Sequence, residues 1–563
     1  MACKTVKKYF FLLLLLISDL SILFSYTISK ELLSQADFKK IITTSEITVA
    51  YLPPASEYNY YMDIGKGASD FAAKSGINFL LATPQIDDPT HQFKLLDEII
   101  DKNNVNIIII SSHNPSLIAP LLRKAYSKGI GIIIINSDMI EYSAPIHAVI
   151  GYSQRSGAKK MADYLINFSQ GRDINLGILE GSPGYHSKER VEGFVDALKD
   201  FQRIDIIDSN IANWNVEGGF YATLDLLKKN PEINAIFASN DYEIIGALGA
   251  TDVLKANNLI LLGNDGDIAA LEAINKGRIT ATVHTDPYKM GEISIEVALD
   301  IVNKSFLGGF VETPTIIVDK KNVNEYIDIN NSSDFNIIKK INVIREELPS
   351  DDKMNSSGLY TDIIRNVFSR RDIEVTFTDL PYVRGKKILT TGKYHGIMSA
   401  YKQSIPEIYY PQWHYNIDTI SVMYNTNYNT WIDQSSMINK KVHWIRGYQF
   451  NSYFHIPFSL SNSRSRSLAL KMLIKKRYNY YIDIKTELEK RLMRDNSELM
   501  QLGYIKDDYE IKDLVNLKLY MAFTNSIKGR RLAEIYDDEL PKMIYSGELK
   551  KLYKKWNRPY PFK

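Results

Sequence analysis

Cysteine is nearly absent from this 563-residue chain, whose single example is Cys3. Cys3 lies before an apolar run at the N-terminus, whereas a lipoprotein cysteine would follow that run. If the run is a cleaved leader, the mature chain contains no disulfide and no thiolate metal site. We therefore expect large apolar cores to supply the stability.

Motifs typical of enzymes are also missing: the sequence contains no HExxH, CxxC, Walker loop or GxSxG elbow. His113, His186 and His284 fall near predicted strand ends, but scattered histidines are more often core or rim residues than metal ligands. No pair of carboxylates is fixed by the sequence at the geometry of a hydrolase. The sequence thus predicts a protein that is not an enzyme and has no metal site and no cofactor.

An excess of charge of one sign is lacking too, since 68 basic residues balance 66 acidic ones. This balance gives no electrostatic reason to expect a nucleic-acid partner. The 45% hydrophobic and 24% charged residues are ordinary for globular protein. At about 150 residues per domain, the length predicts several globular units rather than one core.

The N-terminus has the layout of a secretory signal. Lysine residues precede the apolar run 10–17, and small or polar residues follow near Ser25 and Ser29. This order predicts a signal peptide over residues 1–29. An uncleaved membrane anchor is the alternative, although Asp19 interrupts the apolar stretch, which is short for a span.

Short apolar runs alternate with amphipathic stretches between residues 45 and 323. Uninterrupted runs such as Ile107–Ile110 are typical of strands buried on both faces of a parallel sheet. The pattern crosses near Ala148–Tyr152 and restarts at Ile174. We therefore expect two doubly wound α/β lobes in this part of the chain.

The stretch 234–250 illustrates where a ligand would bind. An apolar strand, Ala235–Ala238, stops at Ser239, Asn240 and Asp241, and a helix follows. In parallel α/β sheets, ligands bind beyond the carboxyl ends of strands. An amide and a carboxylate there can hold a polyol. Asn240 is the better candidate for ligand contact, and Asp241 for capping the helix.

Other predicted strand ends carry aromatic and polar groups of the kind that bind sugars. Aromatic rings cover the apolar faces of a sugar, while planar Asp, Asn and Arg groups bond its hydroxyls in pairs. The tyrosines could instead be core or rim residues, and Arg190 an ordinary surface arginine. The candidate ligand-binding residues are Tyr60, Tyr61, Asn136, Arg190, Trp214, Asn240, Asp265 and Thr285.

These residues stand in motifs that resemble the type I periplasmic binding proteins of the ribose-binding class. The resemblance extends over residues 47–323. It implies two lobes joined by a hinge and closing on a sugar-like ligand. By the same resemblance, Tyr60, Tyr61 and Trp214 would be the aromatic walls, and Arg190, Asn240 and Asp265 the polar clamp. The matching motifs are Tyr60-Tyr61, Arg190-x-x-Gly193-Phe194, Trp214, Ser239-Asn240-Asp241, Gly263-Asn264-Asp265-Gly266 and Thr282-Val283-His284-Thr285-Asp286-Pro287 with Gly291.

Two departures from this pattern bear on the ligand. Many sugar binders have Asp-Arg after the fourth strand, whereas this chain has Asn136-Ser137. Where a glutamine is common before Asp-Pro, it has Thr285. The ligand therefore need not be a plain aldopentose.

A polar segment, 324–336, reads as a linker to a second module at 337–563. Segments of this module, including INVIREELPS and LIKKRYNYYID, resemble a type II periplasmic solute-binding domain of the amino-acid-binding class, also a two-lobed α/β fold. Where that family commonly has an arginine for the ligand carboxylate, this chain has Ser399–Lys402, and Lys402 can act only as a point charge. The candidate cleft residues are Tyr382, Arg384, Lys402 and Asp483.

Together these features predict a periplasmic double solute-binding protein. Its first domain would close on a carbohydrate or similar polar ligand and present it to an ABC importer permease or a membrane receptor. In the alternative, the chain is a sensory protein whose second domain is an interaction module. An enzyme built on a binding-protein scaffold is a remote alternative.

Overall fold

A computed structural model of the chain describes residues 28–29, 46–56, 58–84, 88–112, 115–138, 144–256, 258–303, 308–327, 338–346, 356–389, 391–402, 404–405, 408–448, 450–454, 456–492 and 503–563. Apart from Ile28 and Ser29, the predicted signal peptide lies outside the described residues. So does most of the predicted linker. No helix of the described part is long and apolar enough to cross a membrane.

The first lobe is built on a seven-stranded sheet with the order β1-β12-β6-β5-β4-β2-β3. All its pairings are parallel except β1 with β12. Its isoleucine-rich central strands are buried because helices cover both faces. The strands are β1 (Ile28–Ser29), β2 (Thr48–Leu52), β3 (Asn78–Leu81), β4 (Ile107–Ile110), β5 (Gly131–Ile135), β6 (Ala148–Gly151) and β12 (Gly309–Glu312). The helices are α1 (Asn59–Ser75), α2 (Pro89–Lys102), α3 (Pro115–Ser127) and α9 (Pro287–Val302).

The second lobe has a six-stranded sheet with the order β13-β11-β10-β9-β7-β8, in which only β13 is antiparallel. The strands are β7 (Ile174–Glu180), β8 (Ile204–Ile211), β9 (Ala235–Ala238), β10 (Ile260–Asp265), β11 (Ala281–His284) and β13 (Ile316–Asp319). The helices are α4 (Gln154–Ser169), α5 (Tyr185–Leu198), α6 (Val216–Lys229), α7 (Asp241–Leu254) and α8 (Ile268–Asn275).

The two doubly wound lobes predicted from the sequence are confirmed. The chain crosses between them after Gly151, after His284 and after Glu312, because α4 follows β6 but packs on the second lobe, and α9 follows β11 but packs on α1. The first crossing lies at the end of the predicted stretch 148–152, whose residues 148–151 form strand β6 and pair with β5 and β12. Such a short apolar run does not by itself distinguish a strand from a connection.

The second module contains a nine-stranded mixed sheet, in which the long β22 pairs with β16, β17 and β18. That this module has the two-lobed type II fold remains a prediction. The strands are β14 (Lys340–Glu346), β15 (Glu374–Leu380), β16 (Gly396–Tyr401), β17 (Ile408–Tyr409), β18 (Asn416–Asn425), β19 (Lys441–Ile445), β20 (Ser459–Ser463), β21 (Tyr480–Ile484) and β22 (Tyr509–Thr524). The helices are α10 (Ser356–Ser369), α11 (Tyr382–Leu389), α12 (Arg466–Ile474), α13 (Lys485–Leu492), α14 (Ile527–Tyr545) and α15 (Glu548–Lys555).

The second module shares a buried core with the second lobe of the first domain. Phe220 of α6 and Tyr242 of α7 belong to the same apolar cluster as Trp413, Tyr536 and Phe562 of the second module. The rings of Phe220 and Trp413 meet edge to face, with centroids 5.3 Å apart. The second module and this lobe are therefore packed like parts of one domain.

Candidate functional site

The predicted ligand-binding residues of the first domain meet between its two lobes. The Tyr60 hydroxyl lies 3.1 Å from Asn136 Oδ1 and 2.8 Å from Thr285 Oγ1. Thr285 in turn donates to the Asp265 carbonyl at 3.1 Å. The Asn136 amide reaches the Tyr61 hydroxyl at 3.5 Å. Groups from the first lobe, the second lobe and the crossing after His284 thus form one connected set.

Arg190 is the buried centre of this set, which makes the surface-arginine alternative wrong. Its Nε donates to Gln154 Oε1 at 2.7 Å, its Nη1 to the Ser239 carbonyl at 2.6 Å and its Nη2 to the Tyr152 hydroxyl at 2.6 Å. Its Nη1 also lies 3.0 Å from Asp265 Oδ1. Burial, the largest single effect, lowers the pKa of Arg190, but the Asp265 carboxylate and the surrounding tyrosine hydroxyls together raise it more, so the net shift is upward.

Asp265 ends β10 with a positive φ of 123°. A residue other than glycine seldom adopts this conformation, and strain of this kind concentrates at functional sites. Burial raises the pKa of Asp265, and the Arg190 guanidinium opposes that rise. Closely placed against Arg190, this carboxylate is a ready acceptor for ligand hydroxyls.

Trp214 provides an aromatic surface beside Arg190, as predicted for a wall. Its ring lies 5.4 Å from the Arg190 guanidinium. Its backbone is in the left-handed region, with a φ of 62°, and its N–H donates to Glu243 Oε1 at 2.8 Å. The ring covers Gly181, where a Cβ would come within 2.1 Å of it, so the close approach requires glycine there.

The structure corrects the prediction that Asp241 caps α7. Asn240 is the helix cap: its Oδ1 accepts from Glu243 N at 2.9 Å, and the Glu243 carboxylate accepts from Asn240 N at 3.3 Å. Its Nδ2 donates to the Trp214 carbonyl at 3.3 Å. Ligand contact by Asn240 stays a prediction. In the structure, both the oxygen and the nitrogen of its side-chain amide already bond to the protein.

Asp241 points into the lobe instead of capping the helix. Its Oδ2 accepts from Gly266 N at 2.7 Å and from Asp267 N at 2.8 Å, and its Oδ1 accepts from Thr282 Oγ1 at 2.7 Å. Asp241 therefore joins α7 to the loop that follows Asp265 and to β11. This arrangement supports the site without reaching it.

Sequence reasoning missed Tyr152, Gln154 and Tyr242. The first two bond Arg190, and the Tyr242 hydroxyl accepts from Asn59 N of the other lobe at 3.1 Å. Tyr152 directly follows β6, so the strand-end rule used for the other residues could have found it. His186 also bridges the lobes, with its Nε2 3.3 Å from Ser137 Oγ.

Comparison with known proteins finds relatives of the first domain. Residues 49–305 match the family described as periplasmic binding protein domain. The match supports the α/β type I periplasmic binding protein fold for this part of the chain.

Among curated relatives of this domain, the D-allose-binding periplasmic protein of Escherichia coli K12 is 25% identical over 249 residues, which are 43% of this chain and 80% of the relative. The ribose import binding protein of Bacillus subtilis 168 is 23% identical over 277 residues, which are 49% of this chain and 88% of the relative. A solved periplasmic solute-binding protein from Actinobacillus succinogenes with bound D-allose is 27% identical with a TM-score of 0.47, covering 50% of this chain and all of that one.

Outside residues 49–305, the second module contains a cleft with a cavity volume of about 90 Å³, partly open to solvent. Arg466, Arg558, Asp418 and Tyr448 line it, together with the predicted Tyr382. Sequence reasoning missed the two arginines and Asp418. Arg558 follows the last helix in a stretch without periodicity, so no sequence signal placed it here.

The other predicted residues of the second module do not line this cleft. Arg384 is exposed, because two residues after Tyr382 a helix has turned by about 200°. Lys402 lies against Tyr520, with its Nζ 5.3 Å from the ring centroid.

Asp483 lies behind the cleft wall. It is 1% exposed and accepts from Arg466 Nε at 2.8 Å and from Arg466 Nη2 at 3.3 Å. The Tyr448 hydroxyl accepts from Arg466 Nη2 at 2.9 Å. Asp483 therefore holds the Arg466 guanidinium in place. Arg466, and not the predicted Asp483, lines the cleft.

Proposed function

We propose that this chain is an exported solute-binding protein of the periplasm whose first domain closes on a sugar-like polyol. The closed domain is recognised by an ABC importer or a membrane receptor. The observation that carries the proposal is the connected set from Tyr60 through Thr285 and Asp265 to Arg190 and Trp214, which joins both lobes at the strand ends. The names of the relatives, which bind D-allose and ribose, support a carbohydrate as the ligand class.

The chemistry of closure follows from these groups. Tyrosine hydroxyls, a carboxylate and a guanidinium now bond one another, and ligand hydroxyls can replace those bonds at little net cost. Because the ligand contacts groups of both lobes, it favours the closed state over the open one. A ligand without hydroxyls would leave the same buried groups unpaired and would be rejected.

A thermal-shift screen tests the proposal on the full chain. D-ribose, D-allose, other pentoses and hexoses, polyols and amino acids are compared. A ligand at about 100 times its Kd stabilises the native state by about 2.7 kcal/mol, enough to raise the melting temperature by a few degrees.

Trp214→Ala and Asp265→Ala should abolish the shift caused by a sugar. The matched controls Trp431→Ala, in the second module, and Asp205→Ala, on the exposed edge strand β8, should retain it. If no sugar-like compound shifts the protein, or if the two site variants respond like their controls, the proposed site is wrong.

The second cleft favours a second candidate function, a sensory protein that also binds a small zwitterion. Arg466 can bond a carboxylate, while Asp418, which accepts from Tyr401 at 3.0 Å and from Asn416 at 2.7 Å, can face an ammonium group. In the same screen, a shift caused by an amino acid and lost in Arg466→Lys, which keeps the charge without the planar fork, would support this function. If no amino acid shifts the protein, the second module is better interpreted as an interaction module.

A further inference from the structure

Among the described residues, the second module is joined most extensively to the second lobe of the first domain. Besides the shared core, Arg278 Nη1 lies 2.9 Å from Asp538 Oδ1, and Lys276 Nζ lies 2.8 Å from Glu534 Oε2. The buried His414 places its Nε2 3.3 Å from Glu217 Oε2. Arg278, Lys276 and Glu217 all belong to the second lobe. Apolar burial combined with ion pairs on several elements makes this lobe and the second module one body.

Described groups of the first lobe also touch that body. His91, near the start of α2, places its Nε2 3.1 Å from the Tyr453 carbonyl of the second module, while Asp88 holds the other ring nitrogen at 3.2 Å. Tyr58 packs against the shared core, with its ring 5.9 Å from that of Tyr242. These contacts lie at the carboxyl-end edge of the sheets, where the ligand site also lies.

We propose that the second module is a built-in clasp, which bridges the lobes of the first domain at the His91–Tyr453 contact and stabilises its closed state. Opening the site moves the first lobe away from the second. Because the second module moves with the second lobe, opening must break the contact between His91 and Tyr453. A contact made only in the closed state shifts the population towards closure, and by reciprocity a ligand that closes the lobes strengthens the clasp.

This inference rests on the proposed function only in treating closure as the functional event, and its test needs no ligand. Single-molecule energy transfer can report the distance between dyes on cysteines introduced at the exposed Lys102 and Asp200, one in each lobe. Cys3→Ser removes the only native thiol, so labelling is specific. The readout is the ratio of the short-distance to the long-distance population.

His91→Ala should lower this ratio about two- to tenfold, the range expected for one net hydrogen bond. His91→Gln, whose amide can still donate to the Tyr453 carbonyl, should keep it within about twofold of the unmutated chain. Lys276→Ala is the matched control, because it breaks a contact within the body formed by the second lobe and the second module, and it should leave the ratio unchanged.

An unchanged ratio in His91→Ala overturns the clasp. So does an equal fall in His91→Gln, which would place the effect in the bond to Asp88, or an equal fall in Lys276→Ala. Failure of the sugar screen would leave this result unaffected, since the populations are measured without ligand.

Discussion

At the residue scale, the first turn of α7 places two carboxyl groups in the interior of the second lobe. Burial, reinforced by the Asp265 charge, raises the pKa of Asp241 to about 8. Burial also raises the pKa of Glu243 to about 8, although backbone donors oppose it. Both groups hold structure around the site, and both are protonated in the folded chain at a pH where they are ionised in the unfolded chain.

This difference makes stability depend on pH in a defined direction. The folded state binds a proton at Asp241 up to about pH 8, whereas the unfolded chain releases it near pH 4. The stabilisation is therefore complete below the unfolded pKa and is lost as pH rises through the folded pKa.

Asp241→Asn should remove part of this dependence. Its carbonyl oxygen can accept from the backbone of Gly266 and Asp267, and its amide can donate to Thr282 Oγ1, so it mimics the neutral acid. We expect little change in the free energy of unfolding at pH 5 and an increase of about 2–5 kcal/mol at pH 8. Urea denaturation at both pH values measures the free energy of unfolding, and Asp205→Asn, on the exposed edge strand β8, is the control. Equal changes at pH 5 and pH 8 would contradict the assignment.

The sequence indicated several of the side chains that meet between the lobes of the first domain, but it assigned the cap of α7 to the wrong residue. Tyr60, Arg190, Trp214 and Asp265 were identifiable because parallel strands bring their carboxyl ends to one edge. Which of two adjacent residues caps a helix depends on backbone angles: Asn240 is extended, with a φ of −147°, and Asp241 is already helical. The sequence does not show which of the two residues is the last extended one, because Asn and Asp are both favoured at the N-cap position.

At the element scale, α6 and α7 pack so closely that glycine is needed between them. A Cβ on Gly246 would lie 2.1 Å from the Val216 carbonyl oxygen. On Gly249, three residues later in the same helix, the nearest atom to a Cβ would be Phe220 Cδ2 at 3.5 Å, an ordinary contact. The two glycines therefore share the same helix, but only Gly246 lies against the backbone of a neighbouring helix.

Gly246→Ala should destabilise the protein by about 1–3 kcal/mol, because the backbone clash outweighs the gain of about 1 kcal/mol in helix propensity. Gly249→Ala, the matched control, should be neutral or stabilising by up to about 1 kcal/mol. Chemical denaturation compares the two variants. Similar effects in both would show that the helices can separate without cost.

Element prediction succeeded where the sequence is strongly periodic. Ala235–Ala238 has the predicted bounds, and other strands of the first domain differ by a few residues. Gly309–Glu312 was missed as a strand because it joins the far edge of the first sheet after a long helix, a pairing that only the tertiary fold determines.

At the scale of the whole molecule, the sequence did not predict that the modules share a core. Phe220 and Trp413 each look like core residues of their own module, and nothing in either segment indicates that they meet across 193 positions. The linker composition suggested independent units. The packing instead predicts that the second lobe and the second module lose structure together.

Phe220→Ala tests this cooperativity. Phe220 is fully buried, and its truncation should cost about 3–5 kcal/mol through lost contacts and the cavity left beside Trp413. Hydrogen exchange followed by mass spectrometry should then show faster exchange in both β9 of the second lobe and β18 of the second module. Phe201→Ala, at a ring that is 43% exposed, should change neither. Faster exchange confined to β9 would mean that the modules unfold separately and that their common core does not couple them.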